Sequence, residues 1–173
     1  KIKNVFFSIS DVDTRSANRS FKTLQKKNIR CTKGFSTKYG NIFYKSYFLS
    51  KIKKKPLIAG KIAISNDFYT KNKLKKWITN KYSRKCAHLL RSRYDCLIST
   101  SKTINDDNAI LNCRIDGLEH KSPSIAIIDR DFRIKKNLNI FKNAKRKIYI
   151  FTTSKDKRKR IYFTKKRVKI ISM

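Results

Sequence analysis

Glycine and proline are nearly missing from this sequence, with four and two among 173 residues. Such a count leaves no room for a glycine-rich phosphate cradle. Neither G-x-G-x-x-G nor a P-loop occurs, and a G-x-S-x-G nucleophile elbow is absent too. Histidine is as scarce, with only His88 and His120. The four cysteines, Cys31, Cys86, Cys96 and Cys113, form no C-x-x-C pair, so a zinc site of the usual spacing is not encoded. Reduced thiols are the expectation. No run approaches the ~20 apolar residues of a membrane span. The first ten residues lack the long apolar core and small-residue cleavage site of a secretory signal. A soluble, cytoplasmic protein is expected.

Acidic residues are also few, 11 against 45 lysines and arginines, for a net charge of +34. One explanation is nucleic-acid binding, in which basic side chains displace counterions from phosphates. The other is coding bias: lysine, asparagine and isoleucine are all heavily used, as A/T-rich coding DNA dictates. The charges spread along the chain rather than forming one arm. In either case the field attracts anionic small molecules at low salt.

Hydrophobic residues make up 39% of the chain, enough for a core. Asn4–Ser10 reads as a short buried strand, Ser16–Lys27 as a helix, and residues 29–32 as another strand before Gly34. Asn41–Ile52 has helical spacing at Ile42, Phe43, Tyr47, Phe48 and Ile52. The lysine run ending at Pro56 breaks it, which places a domain boundary between residues 53 and 54. Beyond it, Leu57–Ser65 is strand-like, and Asn66–Lys76 reads as a loop. Asn80 can cap a helix reaching Ser92, with Tyr82, Cys86, Leu89 and Leu90 inward. Further strands are predicted at Tyr94–Ser99, Ser124–Ile128, Lys147–Thr152 and Val168–Ile171, with a partly helical loop over Lys102–Arg114. This alternation indicates an α/β fold with a mainly parallel sheet. Ligands of such sheets sit at the carboxyl ends of the strands, here the loops Ser65–Lys76, Thr100–Arg114 and Asp129–Arg133.

Taken singly, the chemical signals are weak. A lone Trp77 before a helix, an aspartate pair at Asp106-Asp107 and an arginine near a helix end each have ordinary structural explanations, the last through the helix dipole. Their order carries more. Lys61-Ile62-Ala63-Ile64-Ser65-Asn66-Asp67, then Trp77-Ile78-Thr79, Leu90-Arg91, then Thr103, Asp107, Leu111 and Arg114, and finally Ile128-Asp129 follow one another in the spacing of a known pattern. As a set they resemble the reductase domain of the riboflavin deaminase/reductase family (RibD). Residues 11–34 resemble, more loosely, the end of the family's deaminase domain.

The resemblance implies a dihydrofolate-reductase-like α/β domain over residues 54–173, preceded over residues 1–53 by the C-terminal end of a cytidine-deaminase-like domain and a linker. It implies NADPH as cofactor and a phosphorylated pyrimidine, 5-amino-6-(5-phosphoribosylamino)uracil, as substrate, reduced to its ribitylamino product. By position, Ala63, Thr70, Trp77, Thr103, Asp107 and Arg130 would line the NADPH site, while Lys75, Arg91, Leu111 and Arg114 would hold the substrate. No general acid is indicated. Zinc would belong only to the deaminase part, whose H-A-E and P-C…C motifs are expected upstream of this chain. The family pattern also runs on past residue 172, so the chain is expected to be incomplete at both ends and weakly active or inactive alone. A homo-oligomer is expected of the full-length protein, and neither a membrane nor a nucleic acid as partner. A nucleic-acid-binding or ribosome-associated protein is the alternative, but the aromatics fall in apolar strand and helix faces such as Phe6-Phe7 and Phe43-Tyr47-Phe48. The chain departs from the family at Phe68, where the pattern has glycine. It also departs at Asn108-Ala109, which replace Asp-Pro, and in a shorter loop between Asp67 and Trp77.

Overall fold

A computed structural model describes residues 2–17, 19–70, 77–142 and 145–173. Its chain divides into two compact units, Lys1–Gly60 and Lys61–Met173. The first opens with β1 (Asn4–Phe7) and β2 (Arg30–Lys33), a parallel pair joined through helix α1 (Arg19–Lys26). Phe7 meets Phe21 of α1 edge-on, ring centroids 6.2 Å apart. Residues of β1 alternate between exposed and half-buried, so the strand predicted as buried is covered on one face only. The single helix predicted over Asn41–Ile52 is two, α2 (Thr37–Phe43) and α3 (Lys45–Lys53), separated at Tyr44 with φ −90° and ψ 7°. Gly40 of α2 lies against Ser8 so closely that any Cβ would collide with the serine hydroxyl. Asp13 ties α3 to the β1–α1 connection, bonding Arg15 at 2.6 Å and Lys51 at 3.0 Å. The Arg15 guanidinium, more than the Lys51 ammonium, holds its carboxyl far below the usual range.

The second unit contains α4 (Lys81–Arg91), β3 (Cys96–Thr100), α5 (Ser101–Asp107), β4 (Ser124–Ile128), β5 (Ile148–Thr152), α6 (Lys157–Lys165) and β6 (Val168–Ser172). Its strands form one parallel sheet in the order β3-β4-β5-β6, with Cys96 opposite Ser124, Ile125 opposite Ile148, and Ile148 opposite Val168. The core lies on one face. Ile125 and Ile127 of β4 and Ile148 and Ile150 of β5 pack under Ile104 of α5, Phe132 and Ile134 of the β4–β5 connection, and Phe163 of α6. Phe163 anchors this layer, its ring centroid 5.6 Å from Phe132 and 5.0 Å from Phe141. Helix α6, whose sequence is mostly basic, is held by that residue, the only one of the helix that is fully buried.

Two expectations fail from Leu57 onward. Leu57–Ser65 forms no strand although its pattern is strand-like. A strand exists only where its amides find a neighbouring edge. Its residues Ile58 and Ile62 are exposed, and Lys61 lines a groove with α4. In α4, capped by Asn80 accepting from the Ser83 amide at 2.8 Å, the predicted inner residues Tyr82, Cys86, Leu89 and Leu90 are exposed, while Arg84, Ala87, His88 and Arg91 are half-buried. That inward face is polar because it turns toward the loop after α5.

Phe68 sits at φ +65°, in the left-handed region, within a turn closed by Ser65 and Tyr69: the Ser65 amide donates to Tyr69 O at 2.9 Å. This is the position where the family pattern has glycine, and the side chain is exposed. A non-glycine residue there costs about 1–2 kcal/mol. Allowing for glycine's greater freedom in the unfolded chain, Phe68→Gly is expected to stabilise the protein by about 0.5–1 kcal/mol in urea unfolding; a destabilisation would contradict the strain at this turn.

Candidate functional site

The carboxyl ends of β3 and β4 are stitched together by side chains. Thr100, the last residue of β3, caps α5 by accepting from the Thr103 amide at 3.3 Å. Next to it, the Ser101 hydroxyl donates to Asp129 Oδ1 at 2.7 Å, crossing to the end of β4. Asp129 is 3% exposed and also accepts from the amides of Arg133 and Ile134, both at 2.8 Å. Asn105 of α5 adds two bonds to the same connection, donating to Arg133 O at 3.0 Å and accepting from the Lys135 amide at 3.0 Å. Arg130 O in turn accepts from the hydroxyls of Thr152 at 2.8 Å and Thr153 at 3.0 Å, at the end of β5. On α5 the bonds to the β4–β5 connection leave from the Ser101–Asn105 face; Thr103 and Asp107, one helical turn apart on the opposite face, and Arg130 are exposed.

The segment that leaves α5 builds a second group. Asn108 and Leu111 take left-handed conformations, φ 44° and 59°, and turn the chain back against α4. There Arg91 Nη1 donates to Asn112 O at 2.9 Å, and the Arg114 amide donates to His88 Nδ1 at 3.2 Å. From the far side Arg146 donates to Leu111 O at 2.9 Å, and to Ile110 O. Arg91 is held below the usual guanidinium range by burial and by the positive charge of Arg114. Arg146 is lowered by burial and by Arg91. Three arginines thus stand at one loop, and Arg91 and Arg146 each face a positive neighbour, an arrangement an anion relieves. Asn112 Oδ1 is buried there with no partner among the described residues.

The remaining candidates lie on the amino-terminal side. Ala63 is half-buried and Thr70 exposed, both on irregular chain. Lys61 borders a shallow groove of about 330 Å³ whose other wall is α4, at Asn80, Tyr82, Ser83, Cys86, Ala87 and Leu90. The Trp77 ring is 55% exposed and stacks under Arg84, whose guanidinium carbon is 4.7 Å from the ring centroid. Lys75 lies outside the described residues. The structure brings together Arg91, Leu111 and Arg114 at the loop after α5; Thr103 and Asp107 share one exposed face of α5, and Arg130 stands apart from them on the β4–β5 connection.

Four contributors escaped the sequence reading. His88 stands three residues before Arg91, a spacing that puts both on one helix face and was legible. Ser101 and Arg146 gave no local signal, and Asp129 had been read only as the end of a strand. By their chemistry Thr103, Asp107 and Arg130 could serve a phosphorylated nucleotide, a hydroxyl and a guanidinium for phosphate oxygens and a carboxylate for sugar hydroxyls. They do not fit zinc, since among the described residues no three histidine, cysteine, aspartate or glutamate side chains stand together.

Comparison with known proteins bears on the family and the fold. A family model described as the RibD C-terminal domain matches residues 56–171. The 5-amino-6-(5-phosphoribosylamino)uracil reductase of Buchnera aphidicola (subsp. Acyrthosiphon pisum, strain APS) is 33% identical over 94 residues, covering 48% of this chain and 45% of that protein. Among solved structures, a diaminohydroxyphosphoribosylaminopyrimidine deaminase/5-amino-6-(5-phosphoribosylamino)uracil reductase from Thermotoga maritima superposes with a TM-score of 0.73 at 20% identity, over 99% of this chain and 54% of that one. Acinetobacter baumannii RibD gives a TM-score of 0.75 at 18% identity, over 99% and 48%. The α/β fold is thus shared along nearly the whole chain, which spans about half the length of these relatives.

Proposed function

The chain belongs to the RibD C-terminal domain family, and on that premise we propose that it is the front part of an NADPH-dependent reductase acting on 5-amino-6-(5-phosphoribosylamino)uracil in riboflavin biosynthesis, within a protein whose remaining part carries a zinc-dependent deaminase. The observation that carries this reading is the continuity of residues 100–114. Helix α5 presents Thr103 and Asp107 at the top of the sheet, and the loop it runs into delivers Leu111 and Arg114 to Arg91. In this reading one continuous segment meets both ligands and sets their mutual orientation, the main contribution a protein makes to hydride transfer. NADPH, when bound, supplies the hydride that reduces the ribosyl C1′.

In this reading Arg91 and Arg114 bind the substrate phosphate, and guanidinium groups suit it by offering paired donors in a plane. Thr103, Asp107 and Arg130 hold the nucleotide, with Trp77 packing against it from the other side; Ala63, Thr70 and Lys75 are assigned to the same sites by family position alone. Trp77 is the sole tryptophan of the chain, so its emission reports on the cofactor without labelling. NADPH is expected to quench that emission by energy transfer to the reduced nicotinamide. The full-length protein is expected to oxidise NADPH only when the phosphoribosylamino-uracil is present. Unchanged emission together with no substrate-dependent oxidation would refute the proposal.

A further inference from the structure

The reading above leaves out the imidazole that joins its two arginines. His88 Nδ1 lies 3.2 Å from the Arg114 amide, 3.3 Å from Arg91 Nη1 and 3.1 Å from Asn112 O. The first two are obligate donors and the third is an obligate acceptor, so Nδ1 cannot serve all three. Asn112 O already receives Arg91 Nη1 at 2.9 Å. Among the described residues the Arg114 amide has no other acceptor. The bonds are therefore satisfied together when Nδ1 carries no proton and accepts, with the proton on Nε2. The surroundings favour that neutral form: burial, then the charges of Arg91 and Arg114, hold the imidazole below the ordinary histidine range, against a smaller opposing pull from Asn112 O.

We propose that His88 is a positioning residue for the anion-binding arginines, fixing the backbone of Arg114 and the guanidinium of Arg91 through one unprotonated ring nitrogen. This rests on the assignment of Arg91 and Arg114 to the substrate phosphate. The inference concerns geometry. Arg114 follows a loop that contains a left-handed Leu111 and whose carbonyls at Ile110 and Leu111 are pinned by Arg146. On its α4 side the same loop is held by Arg91 and His88. Without Nδ1 the Arg114 amide loses its partner, and the arginine is free to swing away from Arg91, which its own charge repels.

The chemistry offers a clean test, because asparagine places a side-chain oxygen near the position of Nδ1 while glutamine reaches that of Nε2. D-ribose 5-phosphate is titrated by calorimetry into the full chain and into His88→Ala, His88→Asn, His88→Gln and Arg91→Ala. The expected result is roughly tenfold weaker binding for the alanine and glutamine variants, about 1.4 kcal/mol, as for one bond lost at a charged site, and binding within about twofold of the parent for asparagine. Nitrogen NMR of the parent should show Nδ1 with the shift of an unprotonated ring nitrogen, perturbed when the sugar phosphate binds. If His88→Gln binds as tightly as His88→Asn, or His88→Ala as tightly as the parent, while Arg91→Ala loses affinity, the positioning role is overturned and the proposed function stands. If Arg91→Ala also binds unchanged, the phosphate assignment itself is wrong and the His88 role falls with it. Should His88→Ala fail to fold, the asparagine and glutamine pair decides.

Discussion

Replacing Arg91 by alanine in the full-length protein should raise KM for the phosphoribosylamino-uracil roughly 100-fold, the loss of a charge-assisted pair of hydrogen bonds to phosphate worth about 2–3 kcal/mol. The turnover number should change much less. A phosphate contact several bonds from the reacting carbon is made equally in the ground and transition states, and removing uniform binding moves KM rather than kcat. Arg91→Lys should recover only part of the loss. Lysine keeps the charge, but it has neither the planar fork nor the reach to donate to Asn112 O while facing an anion. Steady-state kinetics with varied substrate at saturating NADPH separate these outcomes. An unchanged KM in Arg91→Ala, with the protein folded, would remove Arg91 from the substrate site and leave the cationic loop a structural feature.

The same arginine shows how unevenly the sequence discloses the fold. Elements whose residues face one apolar layer were legible: β4 and β5 are runs of isoleucine with few alternatives, and α4 announces itself through Asn80. The resemblance also placed Arg91, Leu111 and Arg114 in one group, and the loop after α5 does join them. Two kinds of element were not legible. Leu57–Ser65 has the composition of a strand, but pairing is a property of its neighbours, and no described strand offers it an edge. Helix α6 has a basic sequence with no clear apolar stripe, and its position depends on one phenylalanine meeting two others far away in the chain. The break at Tyr44 is a third case, since the apolar spacing runs through it undisturbed.

Within the site, the residues that touch a ligand in the proposed reading were easier to name than those that hold them. Thr103 and Asp107 belong to a short pattern, and Arg130 follows Ile128-Asp129. The bonds that set them in place come from residues 22 to 30 positions away, such as Ser101 with Asp129 and Arg130 with Thr152. Those bonds follow from the parallel sheet, which brings successive strand ends together. That proximity exists only after folding, so no local spacing encodes it.

Asp129 is where this bracing is most exposed to challenge. Its carboxylate is almost fully buried, and its three bonds, at 2.7, 2.8 and 2.8 Å, come from a hydroxyl and two amides rather than from a cation. Burying a charge is tolerable when donors of this number and quality replace water. Asp129→Ala leaves the Ser101 hydroxyl and the Arg133 and Ile134 amides without an acceptor inside the protein. With each orphaned group costing about 1–3 kcal/mol and partial relaxation, a loss of about 3–5 kcal/mol is expected, seen as a fall of order 10 °C or more in melting temperature. Asp129→Asn keeps one acceptor oxygen but turns an amide N–H toward one of the backbone donors, so it should recover less than half of the loss. The functional consequence should be selective. The bonds of Asp129 reach α5 and the connection that bears Arg130, whereas Arg91 is held by Asn112 O on the other side of α5. In the variant that remains folded, KM for NADPH should therefore rise several-fold more than KM for the phosphorylated pyrimidine. Equal rises would mean that Asp129 braces the unit as a whole. An unchanged melting temperature would show that the carboxylate is not bonded as it is placed here.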